Sequence, residues 1–401
     1  MSTLNLEALL EACSSGGPSC LSSRTELAPA GGPHCAVAPA KFAATQGGVG
    51  LYSYERRFVD GVIRETVLVD SKQSQLNRAE AALLQAIADG HEILSRLPRI
   101  EVVYHRGEQE ERYSDLELPH RAFDGHFRAG TIDGIPTTDH PSYQAIRNAT
   151  PANARPLLEA SPATLVFGGW DATRKSRQGR WRSCLVGEVI GVCADRDTAK
   201  KGGARVDPLG MQIKLSGAKL KELVEAQRSE LSPNTYAKLL KESKSAKGEG
   251  VSASTLGLGG IPPNLTALAG VACERIIRSH VLSFAALRQM RFGGDAAGDT
   301  AGRALLAAIA LNALARSDAE LCFRANCDLV EAGPPLVTVD RRNGTVDEVG
   351  HLDIDASDML LAAALRKAEE CLSVKFDGPV LEVTGNPDVL AGVVDEEDAE
   401  Q

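Results

Sequence analysis

Between Phe167 and Ser183 the chain reads Phe-Gly-Gly-Trp-Asp-Ala-Thr-Arg-Lys-Ser-Arg-Gln-Gly-Arg-Trp-Arg-Ser. Arg174, Lys175, Arg177, Arg180 and Arg182 fall within nine consecutive positions that hold no acid. Cations neutralise phosphate charge, hydroxyls and amides donate to phosphate oxygens, and glycine lets a backbone approach a ligand closely. Thr173, Arg174, Lys175, Ser176, Arg177, Gln178, Arg180 and Arg182 are therefore the candidate contacts to a nucleic-acid backbone. A helix following the segment would add its positive N-terminal dipole. The plainer alternative is a solvated basic loop with no ligand.

Chemistry of other kinds finds less support. There is no Gly-x-x-x-x-Gly-Lys-Ser/Thr loop, no Gly-x-Gly-x-x-Gly after a strand and no Gly-x-Ser-x-Gly elbow. Nucleotide-cofactor enzymes and triad hydrolases are disfavoured accordingly. For metal-assisted cleavage the carboxylates to weigh are Asp171, beside the basic segment, and Asp133 and Asp139 upstream. One carboxylate without a second ligand is weak ground for such a reaction. The 9 cysteines are scattered, Cys322 and Cys327 being the closest pair, and no Cys-x-x-Cys occurs. His120 and His126 lack suitably placed partners, so no metal and no cofactor are expected, and the thiols read as buried groups in a reducing compartment.

The formal net charge of −9 counts at first against a nucleic-acid partner, but charge distribution matters more than its total. The tail at 395–400 carries five acids and is expected to be disordered, which leaves a local basic site on an acidic body. A hydrophobic share of 43% with 24% charged residues places the chain among folded globular proteins. Aromatics make up only 4%, so base recognition cannot rest on many stacking rings. The start lacks a basic region followed by an apolar stretch, and the apolar run 304–315 is too short to span a bilayer. A cytoplasmic protein without a membrane partner is expected.

The elements that position the basic segment follow from caps, periods and breakers. Residues 4–13 read as a short helix inside an N-terminal extension, 1–33, broken by Gly16-Gly17-Pro18 and Gly31-Gly32-Pro33. Residues 35–42 read as the first strand, and 52–58 and 62–69 as strands about the turn Asp60-Gly61. Ser71 caps a helix to about Ala88, with Leu76, Ala79, Leu83 and Ile87 on one face. A strand at 100–105 precedes a polar, Pro- and Gly-rich insertion at about 106–162, and 164–167 reads as a short strand. Trp181, Leu185, Val189 and Val192 recur at helical spacing; 185–192 fits a buried strand as well, and helix is slightly preferred. A second insertion at about 195–263 holds helices near 218–227 and 234–241, and looks loop-like at 241–250 and 257–263. Then come one or two strands at 276–287, a buried Ala/Leu-rich helix capped by Asp299 or Thr300, strands at 321–328 and 336–339, a helix at 355–372 and a strand at 380–383. The stretch from Arg288 to Gly294 reads as a turn into the buried helix more readily than as another backbone-binding loop. Strands alternating with a few long helices indicate an α+β fold with a mainly antiparallel sheet.

The segment from Phe167, continued by Leu185-Val186-Gly187-Glu188, together with Leu68-Val69-Asp70-Ser71-Lys72-Gln73-Ser74-Gln75-Leu76-Asn77-Arg78, resembles the RAMP superfamily. Within it the chain is similar to the backbone (major filament) subunit of type I-U, or I-G, CRISPR Cascade complexes. The resemblance implies a modified RNA-recognition-motif (ferredoxin-like) palm, residues 34–394 as one domain whose two insertions form finger and thumb regions, and 395–401 as a disordered tail. It also implies a structural rather than catalytic role in the prokaryotic cytoplasm, scaffolding CRISPR RNA for DNA targeting. The partners implied are CRISPR RNA, the target DNA strand through the guide, other copies of the chain and other Cascade subunits. By the same resemblance, Ser71, Lys72, Gln73, Ser74, Asn77 and Arg78 form a second set of RNA contacts, an ordinary helix start with a polar outer face being the alternative. Two other functions stay open: a metal-dependent endoribonuclease like the type III relatives, and a subunit that binds only proteins.

Overall fold

The computed structural model describes residues 4–42, 51–106, 108–176, 178–194, 205–210, 212–245, 250–261 and 270–391. Arg177 and the acidic tail 395–401 lie outside them, as do 195–204, 246–249 and 262–263 of the second insertion. The chain divides into two compact units: Met1–Cys35, Ser53–Ala194 and Cys273–Gln401 form the larger, and Ala36–Tyr52 with Asp195–Ala272 the smaller.

In chain order the main elements of the larger unit are α1 (Leu6–Cys13), β1 (Cys20–Pro29), β2 (Tyr54–Val59), β3 (Val62–Asp70), α2 (Lys72–Ala88), α3 (Pro162–Phe167), β4 (Gly169–Trp170), β5 (Arg180–Trp181), β6 (Leu185–Cys193), β7 (Cys273–Ser283), α4 (Ala296–Glu320), β8 (Leu329–Glu331), β9 (Leu336–Asp340), β10 (Val346–Val349) and α5 (Ile354–Leu372). The central sheet runs β10-β9-β1-β7-β6-β3-β2, with β8 also paired to β1, and every pair is antiparallel. The fold is α+β with an antiparallel central sheet, compatible with a ferredoxin-like palm.

Strand alternation sets the layers. Leu21, Ser23, Thr25 and Leu27 of β1, and Ile276, Arg278, His280 and Leu282 of β7, are the buried sides of their strands. Leu21 and Leu282 share one core with Leu305, Leu306 and Ile309 of α4 and Leu361 and Leu365 of α5. Because α4 is surrounded by α1, α2 and α5, its apolar residues face all round rather than along a stripe. Two polar side chains on the buried side of β7 find partners: Arg278 meets Asp318 and Glu331, and His280 meets Gln75 of α2 at 3.0 Å. Burial, with Arg278 adding to it, pushes the His280 pKa down to about 3, so the imidazole is neutral.

Several sequence expectations are corrected. The Gly/Pro/Ser/Ala stretch before residue 33 contains β1, a central strand, whose core side alternates Leu with Ser and Thr and so lacks an apolar signature. In 35–42 only Lys41–Phe42 is a strand, with a bridge from Val37 to Val271. Residues 164–167 end the helix α3, since four apolar residues in a row do not distinguish helix from strand. The 185–192 run is the strand β6: a Cβ at Gly187 would lie 2.0 Å from the His280 ring and one at Gly191 2.4 Å from the Cys273 sulfur, a fit that only the facing strand reveals. The cap of α4 is Asp295, whose carboxylate accepts from Gly298 N at 2.7 Å; Asp299 lies inside the helix, accepting from Phe292 N. Leu321, with φ +45°, ends α4, and 321–328 forms no strand.

Residues 106–162 supply Phe123, Phe127, Tyr143 and Leu157 to the same core. A five-stranded sheet lies there too, Arg99–Arg106 pairing with Gln109–Ser114 and, in parallel, with Pro379–Thr384. The smaller unit has its own core of Leu220, Val224 and Leu239 between the helices Gly217–Ala226 and Pro233–Ser245. Among the described residues no helix is long and apolar enough to cross a membrane.

Candidate nucleic-acid interface

The basic segment is the tip of a short hairpin. Helix α3 ends at Gly168, whose φ of +89° suits glycine, and a Cβ there would lie 2.9 Å from Trp181 O and 3.0 Å from Ser183 N. The next residues pair across β4 and β5, Gly169 with Trp181 and Trp170 with Arg180, and Asp171 N donates to Gly179 O at 2.9 Å. Since β6 is a strand, no helix dipole follows the segment, contrary to the sequence expectation.

Three of the candidate contacts hold the tip in shape. Arg174 donates to Arg147 O at 2.8 Å and to Asn148 Oδ1 at 2.7 Å. The Gln178 amide donates to Ala172 O and Arg174 O, both at 2.9 Å, and the Thr173 hydroxyl accepts from Arg128. Lys175, Ser176, Arg180 and Arg182 are exposed. Lys175, Arg180 and Arg182 have no ion-pair partner among the described residues, and the Arg180 guanidinium lies 4.7 Å from the Trp170 ring centroid. The one acid of the tip, Asp171, is buried and takes a bidentate pair from Arg147 at 2.8 and 3.0 Å. With that carboxylate paired to Arg147, Lys175, Arg180 and Arg182 are the exposed cations of the tip among the described residues.

The second set divides in a different way. Ser71 caps α2, its hydroxyl accepting from Ser74 N at 3.2 Å. Asp70, fully buried, accepts from the Ser74 hydroxyl at 2.9 Å, the Gln75 amide at 2.6 Å, Arg78 at 3.0 Å and Arg324. Burial alone would raise the Asp70 pKa, but the bonds from Arg78, Gln75 and Ser74 outweigh it and hold the carboxyl below its ordinary range. Arg78 also donates to Phe323 O at 2.9 Å and to Cys322 O, with its guanidinium over the Phe323 ring. Lys72, Gln73 and Asn77 are exposed. Gln73 and Asn77 line a groove of about 590 Å³ with Glu80, Glu117, Arg121 and Phe167.

Arg121, which the sequence did not single out, joins the two stretches. Its guanidinium donates to Glu80 of α2 at 2.6 Å and to Gly168 O at 3.0 Å. Trp170 and Arg128 are likewise parts of the site that the sequence reading left out. Asp133 and Asp139 are exposed and Asp171 is spent on Arg147, and among the described residues no group of three or more His, Cys, Asp or Glu is placed to hold a metal ion.

Residues 21–196, which include both stretches, match the family model described as CRISPR-associated protein GSU0053. No curated protein matches the chain.

Proposed function

We propose that this CRISPR-associated protein, so marked by the family match and given by it a role in CRISPR defence, holds CRISPR RNA by its phosphates as the repeated backbone subunit of a type I Cascade complex, subtype I-U or I-G. The observation that carries the reading is the glycine-pinned hairpin inside the matched segment, which presents Lys175, Arg180 and Arg182 with no acid paired to them among the described residues. A guide varies in sequence, so a scaffold gains by gripping phosphate and sugar and leaving base edges free. On this reading copies of the chain pack head to tail along one RNA, an arrangement that stays open where its rotation does not close. The target DNA strand is reached through the guide, and other Cascade subunits cap the array. No catalytic step is assigned. Asp171, the carboxylate nearest the cations, is buried under Arg147 and is not offered to a metal or a scissile phosphate.

Salt dependence tests this. Each phosphate neutralised on single-stranded nucleic acid contributes about −0.7 to the log–log salt slope. The double variant Lys175→Ala/Arg182→Ala is expected to flatten the slope by about 1.4 and to weaken guides of unrelated sequence alike. An unchanged slope in RNA-binding titrations would place the RNA elsewhere. A protein-only subunit would carry no nucleic-acid absorbance after co-expression with a CRISPR array.

A further inference from the structure

Trp170 has a use beyond phosphate holding. The chain has 2 tryptophans, both in this hairpin, where Trp170 pairs with Arg180 and Trp181 with Gly169: Trp181 is 7% exposed, while Trp170 is 45% exposed. A lone exposed aromatic needs no explanation by itself. This one belongs to the hairpin that carries the exposed Lys175, Arg180 and Arg182, its cross-strand partner Arg180 lies against its ring, and its backbone is fixed on both sides. Gly169 before it has room for no side chain, a Cβ there meeting Thr164 at 2.9 Å, and Asp171 after it is clamped by Arg147. The ring is thus held in place before any ligand arrives, with the Arg180 guanidinium against it.

We propose that Trp170, braced by Arg180, is a stacking platform for one unpaired nucleobase of a single-stranded RNA. The inference rests on the RNA-binding reading above and adds a base contact to it. Every base has a π-face, so stacking holds a base without reading its identity. Phosphate contacts at Lys175 and Arg182 would then fix the strand, and the indole would turn one base out against the protein.

The test uses the full chain and two probes, a short single-stranded oligoadenylate RNA and an abasic strand with the same number of phosphates. Trp170→Ala is expected to weaken oligoadenylate about tenfold and the abasic strand hardly at all, with the salt slope unchanged. Trp170→Phe is expected to recover part of the loss. Oligoadenylate is expected to quench wild-type tryptophan fluorescence more than that of Trp170→Phe. Equal losses on both probes would mean that the ring only props the cationic tip, and would overturn the platform. No loss and no quenching, with wild-type binding intact, would overturn the platform and leave the phosphate reading standing. Failure of the wild type to bind either probe at low salt would overturn both. An unfolding midpoint for Trp170→Ala matching the wild type's confirms that the losses are read on folded protein.

Discussion

The start of α2 and the β4–β5 hairpin are two polar, cation-bearing stretches, and they use their cations in opposite ways. At α2 a buried carboxylate, Asp70, sits beside the cations and collects Ser74, Gln75, Arg78 and Arg324. In the hairpin the buried carboxylate, Asp171, is satisfied from outside by Arg147, and Lys175, Arg180 and Arg182 stay exposed. A cation serves a ligand only if no nearer acid has claimed it. The partner that decides this lies 8 residues from Asp70 in one case and 24 from Asp171 in the other.

The comparison breaks first at Asp70. Removing one partner from a buried ion cluster leaves the others uncompensated, at a cost of about 3 kcal/mol. Asp70→Ala is expected to lose that much stability at pH 7 in urea unfolding. Because the folded pKa is depressed, the wild-type advantage is full above the unfolded value of about 3.9 and is lost as pH falls through the folded value. The gap between wild type and variant should therefore shrink in acid. A deficit below about 1 kcal/mol would mean that Asp70 does not hold Arg78, and would return Arg78 to the RNA candidates.

Asp115 sharpens the same point from the other side, as a buried acid without such donors. It is fully buried, and neither carboxyl oxygen has a hydrogen-bond partner among the described residues. Burial pushes its pKa up to about 7, with Glu80 pushing the same way and the nearby Ser161, Arg99 and Arg121 too weakly placed to offset it. Between about pH 4 and pH 7 the folded chain keeps a proton that the unfolded chain releases, so stability falls across that window and levels off above it. Asp115→Asn, neutral throughout, is expected to remove that slope, gaining about 1–3 kcal/mol on the wild type between pH 5 and pH 8. Parallel profiles for the two proteins would sink this, and with it the view that donors rather than depth set the charge of these acids.

The sequence made the α2 region legible because its signals are local: the Ser71 cap, the Leu76–Ala79–Leu83 face and the Asp60-Gly61 turn each lie within a few residues. It hid β1 because Ser23 and Thr25 fill core positions where a strand is expected to show Val or Ile. It misread β6 because Gly187 and Gly191 answer to His280 and Cys273 on the facing strand. The basic composition of the site could be read directly. Its hairpin form, the Arg147 clamp and the Arg121 link could not, since those arginines lie in a stretch with no helical or strand period. Trp170 carried no signal until its exposure beside Arg180 was known.

The smallest effect expected belongs to the exposed residues of α2. Lys72, Gln73 and Asn77 remain once Ser71, Ser74 and Arg78 are accounted for, and Lys72 is the only cation among them. Two influences compete there. The N-terminus of a 17-residue helix favours an anion by its dipole. Against that, the groove lined by Gln73 and Asn77 carries Glu80 and Glu117, and Arg121 is already committed to Glu80. Glu117 is exposed and lines the same groove. Since dipole effects fade within the first turn and are screened by salt, the acid is expected to prevail. Lys72→Ala/Gln73→Ala/Asn77→Ala should then change the salt slope by less than about 0.3, against about 1.4 for the hairpin pair, and leave stability within about 0.5 kcal/mol. A fall of about 0.7 would mean that Lys72 neutralises a phosphate of its own. Helix α2 would then be a second grip on the strand, and the contrast with the hairpin would be one of degree.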